Sequence, residues 1–223
     1  MSAALTTRVL VITKAPVPGR SKTRLTPPCT PEQAAGIAAA AVADTLDAVR
    51  AAPVADRVVA LDGEPGGLDL TGFTVVAQVD GDLGTRLAAA FADAGGSSAG
   101  PTLLIGMDTP QVTPELLAGC AARLEKAGPG TAVLGTAPDG GWWALGLHRA
   151  EDAAVLADVP MSREDTAART RAALEQLGLV VVDLPELTDI DHFPDAVAVA
   201  AQCPPGSRTA VAVAAVADDV GRR

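Results

Sequence analysis

The chain has 223 residues, the length of one domain or of one domain with a small extension. Hydrophobic residues make up 48% and charged residues 20%, which excludes a disordered chain and allows a packed core; with 2% aromatics and no Tyr, that core must be mainly Ala, Val and Leu. The net charge of -10 argues against a broad nucleic-acid or anionic-membrane surface, which needs a basic footprint, but leaves room for phosphate at one local site.

Cys29, Cys120 and Cys203 show neither metal spacing nor an even-numbered framework, so a reducing compartment, the cytoplasm, is expected. The apolar run Val9 to Ile12 is too short for a signal peptide. The Ala-rich segment 34–52 carries Asp44, Asp47 and Arg50 and reads as a soluble helix, not a membrane span.

In chain order, Arg8 to Thr13 is a β-branched run typical of a strand buried on both faces. Thr30-Pro31-Glu32-Gln33 opens a helix to about Ala52, with Thr30 as N-cap, Pro31 at N1 and Gln33 closing a capping box. Strands follow at Arg57 to Leu61 and Phe73 to Gln78, a helix at Leu83 to Ala94, and a strand at Thr102 to Gly106. Thr113-Pro114-Glu115 starts a helix to about Ala127. Thr131 to Gly135 and Trp142 to Leu147 are strands separated by the turn Pro138 to Gly141. A helix at Arg163 to Leu177, a strand at Leu179 to Leu184 and a helix at Pro194 to Gln202 complete the pattern. This alternation predicts an α/β fold, a mostly parallel central sheet with helices on both faces. The linker Cys203 to Ser207 divides a domain at 1–202 from a C-terminal extension at 203–223. That extension, with its charged end Asp218 to Arg223, is either a docked final helix or a loose tail.

The chain has three Lys, and two of them fall in the twelve-residue stretch Lys14 to Leu25, joined by Arg20 and Arg24; no acidic residue precedes Glu32. A loop after the first strand of a parallel sheet lies at the carboxyl edge, where α/β proteins bind ligands. Gly19 permits close backbone approach, Pro16 and Pro18 stiffen the segment, and cationic side chains with free N–H groups suit phosphate oxygens. The competing reading is a solvated basic loop. A P-loop fits poorly, because Ser21 stands where that motif requires Gly and Thr26-Pro27-Pro28 blocks an immediate helix.

Four further segments carry possible chemistry. Asp108 ends a strand; it either holds Mg²⁺ or Mn²⁺ or caps the turn at Thr109-Pro110. Asp189 and Asp191 share a face if extended, so one could complete a metal site with Asp108, or the pair starts a helix beside His192. Asp139-Gly140-Gly141 leads into Trp142 and Trp143, which face opposite ways on a strand, one toward the core and the other free to line a pocket. In Gln78 to Leu87, Arg86 falls in the first turn of a helix, where a cation calls for a nearby anion.

Together these segments resemble the DUF2064 proteins, glycosyltransferase-A-like proteins related to 2-phospho-lactate guanylyltransferase. The likeness runs in order through Lys14 to Leu25, Gln78 to Leu87, Gly106 to Pro110, Asp139 to Leu147 and Leu184 to Asp195, over about residues 8 to 200. It implies the Rossmann-type fold of nucleotide-diphospho-sugar transferases (GT-A-like) and a divalent metal on Asp108 with Asp191. It places nucleotide phosphates on Lys14, Pro18, Gly19, Arg20, Lys22, Thr23 and Arg24, assisted by Gln78, Gly84 and Arg86. Asp139, Gly140, Gly141, Trp142 and Trp143 are the expected substrate pocket. Met107 and the Trp pair depart from the family's usual small residue and tyrosines, and both adjoin that pocket.

The expected partners are a nucleoside triphosphate or a nucleotide sugar, and a small-molecule acceptor. Four loop cations are many for a diphosphate sugar whose metal already offsets charge, which favours a nucleotidyltransferase releasing pyrophosphate. Lys22, Arg24 and Asp108 are then the catalytic set: Asp108 with Asp191 on the metal, Lys22 and Arg24 on the leaving pyrophosphate, and Arg20 or Arg86 orienting the acceptor. The alternatives are a glycosyltransferase with Asp139 as base and a nucleotide-binding protein without turnover.

Overall fold

The protein is described from a computed structural model that covers residues 4–95 and 100–222; Arg223, at the charged end, lies outside them. Seven strands form one sheet in the order β3-β2-β1-β4-β6-β5-β7. They are β1 (Arg8–Lys14), β2 (Asp56–Asp62), β3 (Thr74–Ala77), β4 (Thr102–Gly106), β5 (Thr131–Thr136), β6 (Trp142–Leu147) and β7 (Val180–Asp183). Only β6 runs antiparallel to its neighbours, β4 and β5, because the short turn at 137–141 returns it beside β5. The remaining pairs are parallel, as the alternation of strands and helices requires.

The period-two alternation of the strands divides the core between two faces. Val9, Val11, Val59, Leu61, Leu103 and Ile105 meet helices α1 (Pro31–Ala51) and α3 (Pro114–Ala127). Leu10, Val58, Ala60 and Leu104 face the other way, onto Phe91 of α2 (Leu83–Gly95), Leu156 of a 3-10 segment (Ala150–Asp158) and Leu174 of α4 (Thr166–Gln176). A third cluster joins Ala34, Ile37 and Ala41 of α1 to α5 (Phe193–Ala200) and α6 (Arg208–Gly221), and it also takes in Leu25 and Ile190.

Local chemistry sets the element ends. Thr30 Oγ1 accepts from Gln33 N at 3.2 Å and Gln33 Oε1 accepts from Thr30 N at 2.9 Å, the capping box that starts α1. Thr113 Oγ1 accepts from Leu116 N at 3.2 Å to start α3. Two elements differ from expectation. Helix α4 begins at Thr166, not Arg163, because Ser162 takes a left-handed φ of 58° and Thr166 Oγ1 accepts from Arg163 N and donates to Pro160 O, both at 3.0 Å. The segment Ala150–Asp158, which had no expected structure, is a 3-10 turn run that covers α2. The residues after 203 include α6, whose Val213 and Val216 are buried against α1.

Candidate active site

Strands β1, β2 and β4 end side by side at Lys14, Asp62 and Gly106. The chain passes from β1 to β2 on one side and returns to β4 on the other, so the sheet order reverses at β1, where α/β sheets open a crevice beyond the strand ends. A cavity of about 710 Å³ lies there. It is bordered by Lys14, Arg24, Asp62, Arg86 and Asp108, by Asp139 and Trp142 from the β5–β6 turn, and by Met161 to Glu164 from the loop before α4.

The basic loop is stapled from within. Ser21, 1% exposed, donates through Oγ to Ala15 O at 3.1 Å and accepts from Val17 N at 3.0 Å. The N–H groups of Arg20 and Ser21 both donate to Val17 O at 3.0 Å. The residue that breaks the P-loop pattern therefore organises a different loop, and these three N–H groups serve its own fold, not a phosphate. Pro18, Gly19 (φ 74°), Arg20 and Thr23 are exposed and stand apart from the cavity lining, so only Lys14 and Arg24 of the expected loop set reach it directly. Lys22 takes a left-handed φ of 50° and turns its side chain inward, leaving it 10% exposed. Its Nζ lies 2.7 Å from Asp108 Oδ1 and also donates to Ile190 O.

The strand-end acids converge. Ile190 N donates to Asp108 O at 2.9 Å and Gln111 Nε2 to Thr188 O at 2.7 Å, which docks the 188–191 segment beside the end of β4. Ile190 is fully buried, and Asp189 and Asp191 on either side of it both border the cavity, as alternation in an extended segment demands. Asp191 accepts from Arg24 Nη1 through both oxygens, at 2.7 and 2.9 Å. Burial, then the like charge of Asp139 and, more weakly, of Asp108, push the Asp189 carboxyl up to about 6 against partial relief from its own backbone N–H and from Lys22. Among the described residues, no group of three or more His, Cys, Asp or Glu is gathered closely enough to hold a metal unaided.

The remaining expected residues divide between the cavity and the scaffold. Gln78 borders the cavity, and its Nε2 donates to Thr13 O at 2.7 Å and Ala60 O at 2.9 Å, stitching β1 to β2. The anion that Arg86 calls for at the start of α2 is Asp62, 2.7 Å from Nη1. Gly84 does not face the cavity: a Cβ there would stand 2.2 Å from Leu156 O, so it exists to let α2 meet the 3-10 segment. Gly140 (φ 87°) likewise accommodates Glu164, whose carbonyl oxygen would lie 1.8 Å from a Cβ. Trp142 borders the cavity and donates Nε1–H to Thr170 Oγ1 at 3.1 Å, whereas Trp143 is buried on the other face and donates to Pro185 O at 2.9 Å. Trp143, expected in the pocket, is thus core, because adjacent strand residues face opposite ways.

Sequence reasoning passed over Asp62 and Arg163. Arg163 borders the cavity, 63% exposed, with Asp165 3.6 Å from its Nε. It follows a left-handed residue in a loop, where no periodic pattern marks the direction of a side chain.

No curated protein matches the chain in sequence. Among solved structures, a candidate nucleotide-diphospho-sugar transferase from Desulfovibrio desulfuricans G20 superposes with a TM-score of 0.79 at 24% identity, covering 93% of each chain. A nucleotidyl transferase from Methanothermobacter thermautotroptrophicus (Mth528) gives 0.57 at 19% identity, covering 87% of this chain and 95% of that one. Rv0371C from Mycobacterium tuberculosis H37Rv, in complex with manganese, gives 0.51 at 21% identity over 87% and 97%. These likenesses show a shared fold, that of the nucleotide-diphospho-sugar transferases. The family model described as "Uncharacterized protein conserved in bacteria (DUF2064)" matches residues 45–163, more than half the chain, taking in Gln78 to Leu87, Gly106 to Pro110 and Asp139 to Leu147 while stopping short of the basic loop. By that match and the fold that accompanies it, the chain belongs to the DUF2064 family.

Proposed function

We propose that the chain is a divalent-metal-dependent nucleotidyltransferase that joins a nucleotide to a phosphorylated small molecule and releases pyrophosphate. The observation that carries this reading is the charge layout of the cavity. Lys14, Arg24, Arg86 and Arg163 border it, Lys22 stands behind Asp108, and six carboxylates share it. So many cations at one switch point suit a triphosphate better than a diphosphate sugar.

The donor set suits a hard cation. Asp108, Asp139, Asp189 and Asp191 all border the cavity, and carboxylate oxygens are the ligands that Mg²⁺ and Mn²⁺ prefer. Asp108 and Asp191 would hold the ion, with substrate phosphate oxygens completing its shell in the absence of a third close protein ligand among the described residues. The manganese complex of the Mycobacterium tuberculosis neighbour is in keeping with this. When bound, the ion supplies charge neutralisation on the phosphates.

The side chains divide the remaining work. Lys14 receives phosphate at the end of β1, and Arg24 and Lys22 stabilise the charge that builds on the leaving pyrophosphate. Arg163 offers a guanidinium fork to the acceptor's anionic group, a role that Arg20, outside the cavity, is not positioned to take. An acceptor phosphate oxygen attacks the α-phosphorus. The α–β bridging bond breaks and pyrophosphate leaves with its electron pair. The nucleophile is already an anion, so no general base is needed.

The test is a thermal-stability screen of the full chain against nucleoside triphosphates and nucleotide sugars, with Mg²⁺ or with a chelator, paired with a pyrophosphate-release assay. A ligand at 100 times its Kd stabilises by about 2.7 kcal/mol. Metal-dependent stabilisation by one triphosphate is expected. Stabilisation by nucleotide sugars alone would overturn this reading for a glycosyltransferase, with Asp139 as its base.

A further inference from the structure

The two carboxylates assigned to the metal are both already engaged, and both by the basic loop. Lys22 Nζ sits 2.7 Å from Asp108 Oδ1, and Arg24 Nη1 lies 2.7 and 2.9 Å from the two oxygens of Asp191. The two pairs differ in strength. Arg24 is 62% exposed, so water screens its pair. The Lys22 side chain is 10% exposed and also donates to Ile190 O, so its charge depends on Asp108. Asp108 borders the cavity while Lys22 stands behind it.

We infer that Lys22 is a built-in counter-ion that occupies the cation position on Asp108 until a divalent ion takes it, and that it is released to the phosphates by that exchange. The inference rests on the reading of Asp108 as a metal ligand. The ammonium group holds one of the two Asp108 oxygens, the buried Oδ1, and its charge repels a divalent ion approaching the other, so the two cations compete for the carboxylate. Lysine suits the exchange, being a compact charge on a flexible stem with rotatable donors. The backbone need not move. Leu25, three residues on, and Ile190, beside the carboxylates, are both fully buried in one cluster and fix the two ends between which the side chain swings. Arg24 repeats the arrangement at the cavity mouth with Asp191. By linkage, whatever draws Lys22 away tightens the metal, and the metal in turn tightens whatever receives Lys22. Triphosphate and ion therefore bind with positive coupling, and each alone binds weakly.

The test titrates Mn²⁺ alone, with no nucleotide, into the full-length chain by calorimetry. K22M is expected to bind Mn²⁺ at least tenfold tighter than the unaltered chain. K14M, which removes a like charge from the cavity lining without touching Asp108, is expected to change the affinity less than threefold. K22Q, which keeps a donor for Ile190 O, carries the comparison if K22M fails to fold. Unchanged or weaker Mn²⁺ binding in the Lys22 variants overturns the inference, as does an equal gain in K14M, which would mean a general field effect. D108N separates the two ideas. If it abolishes Mn²⁺ binding while the Lys22 variants show no gain, the metal reading stands and the exchange falls. If D108N binds Mn²⁺ as the unaltered chain does, Asp108 is not a ligand and both fall.

Discussion

Asp189 is a carboxylate with two like charges nearby and little water to dissipate them. Burial and the fields of Asp139 and Asp108 raise its pKa from an ordinary 3.8 to about 6. The folded state therefore holds this proton more tightly than the unfolded chain does. Its contribution is fully present below about pH 4 and is lost as pH rises through about 6, so the charged group costs stability at neutral pH. Asn has the same shape and no charge. D189N is expected to melt with the unaltered chain near pH 4 and several degrees above it at pH 8, corresponding to about 1–2 kcal/mol once partial exposure is allowed for. Thermal melts at the two pH values check this, and an equal shift at both would remove charge crowding as the cause. Asp189 and Asp191 were legible as a same-face pair from their spacing alone. Which of them carries the strain was not, since that depends on burial and then on Asp139, fifty residues away in sequence, and both are set only by folding.

At the level of elements, α2 and the 3-10 segment Ala150–Asp158 show what a local pattern leaves out. The strands and capped helices announce themselves: β-branched runs, Thr-Pro starts and the 137–141 turn all have near-neighbour signatures. The 3-10 segment has none, being held by packing onto Leu87 and Phe91 of α2. For the same reason Gly84 reads in the sequence as a phosphate-loop glycine, although its task is contact with Leu156. The sign of one substitution separates these roles. In an open helix, Gly to Ala gains about 0.5–1 kcal/mol. Here the new Cβ would lie 2.2 Å from a backbone carbonyl oxygen, and such overpacking costs about 1–3 kcal/mol or more. G84A is expected to lower the melting temperature, and a stabilised G84A would mean that α2 and the 3-10 segment do not approach so closely.

On the scale of the whole molecule, the last helix is the most remote element from the cavity in sequence terms, yet it is bound into the basic loop's support. Val213 and Val216 of α6 share a cluster with Leu25, Ile37 and Ile190, so the loop that carries Lys22 and the segment that carries Asp191 rest on a wall that α6 completes. Polar contacts fix its entry: Asp44 Oδ2 accepts from Thr209 N at 2.8 Å and Thr209 Oγ1 at 2.7 Å, and Arg208 Nη1 lies 2.6 Å from Asp47. The proline linker left 203–223 open between a docked helix and a loose tail, because a composition break is visible in sequence and a packed interface is not. Ending the chain at Gly206 would expose the α1 side of this cluster. Two buried Val side chains contribute about 3–6 kcal/mol by transfer, which in a chain of this size corresponds to a fall on the order of 10 °C in melting temperature. Hydrogen exchange should show the loss reaching the amides of residues 22–29 ahead of those of β1 and β4, because Leu25 and Cys29 lose their backing while the sheet keeps both its helical layers. A truncated chain that melts as the intact one does, with unchanged protection at Leu25, would make α6 an accessory rather than part of the platform for the site.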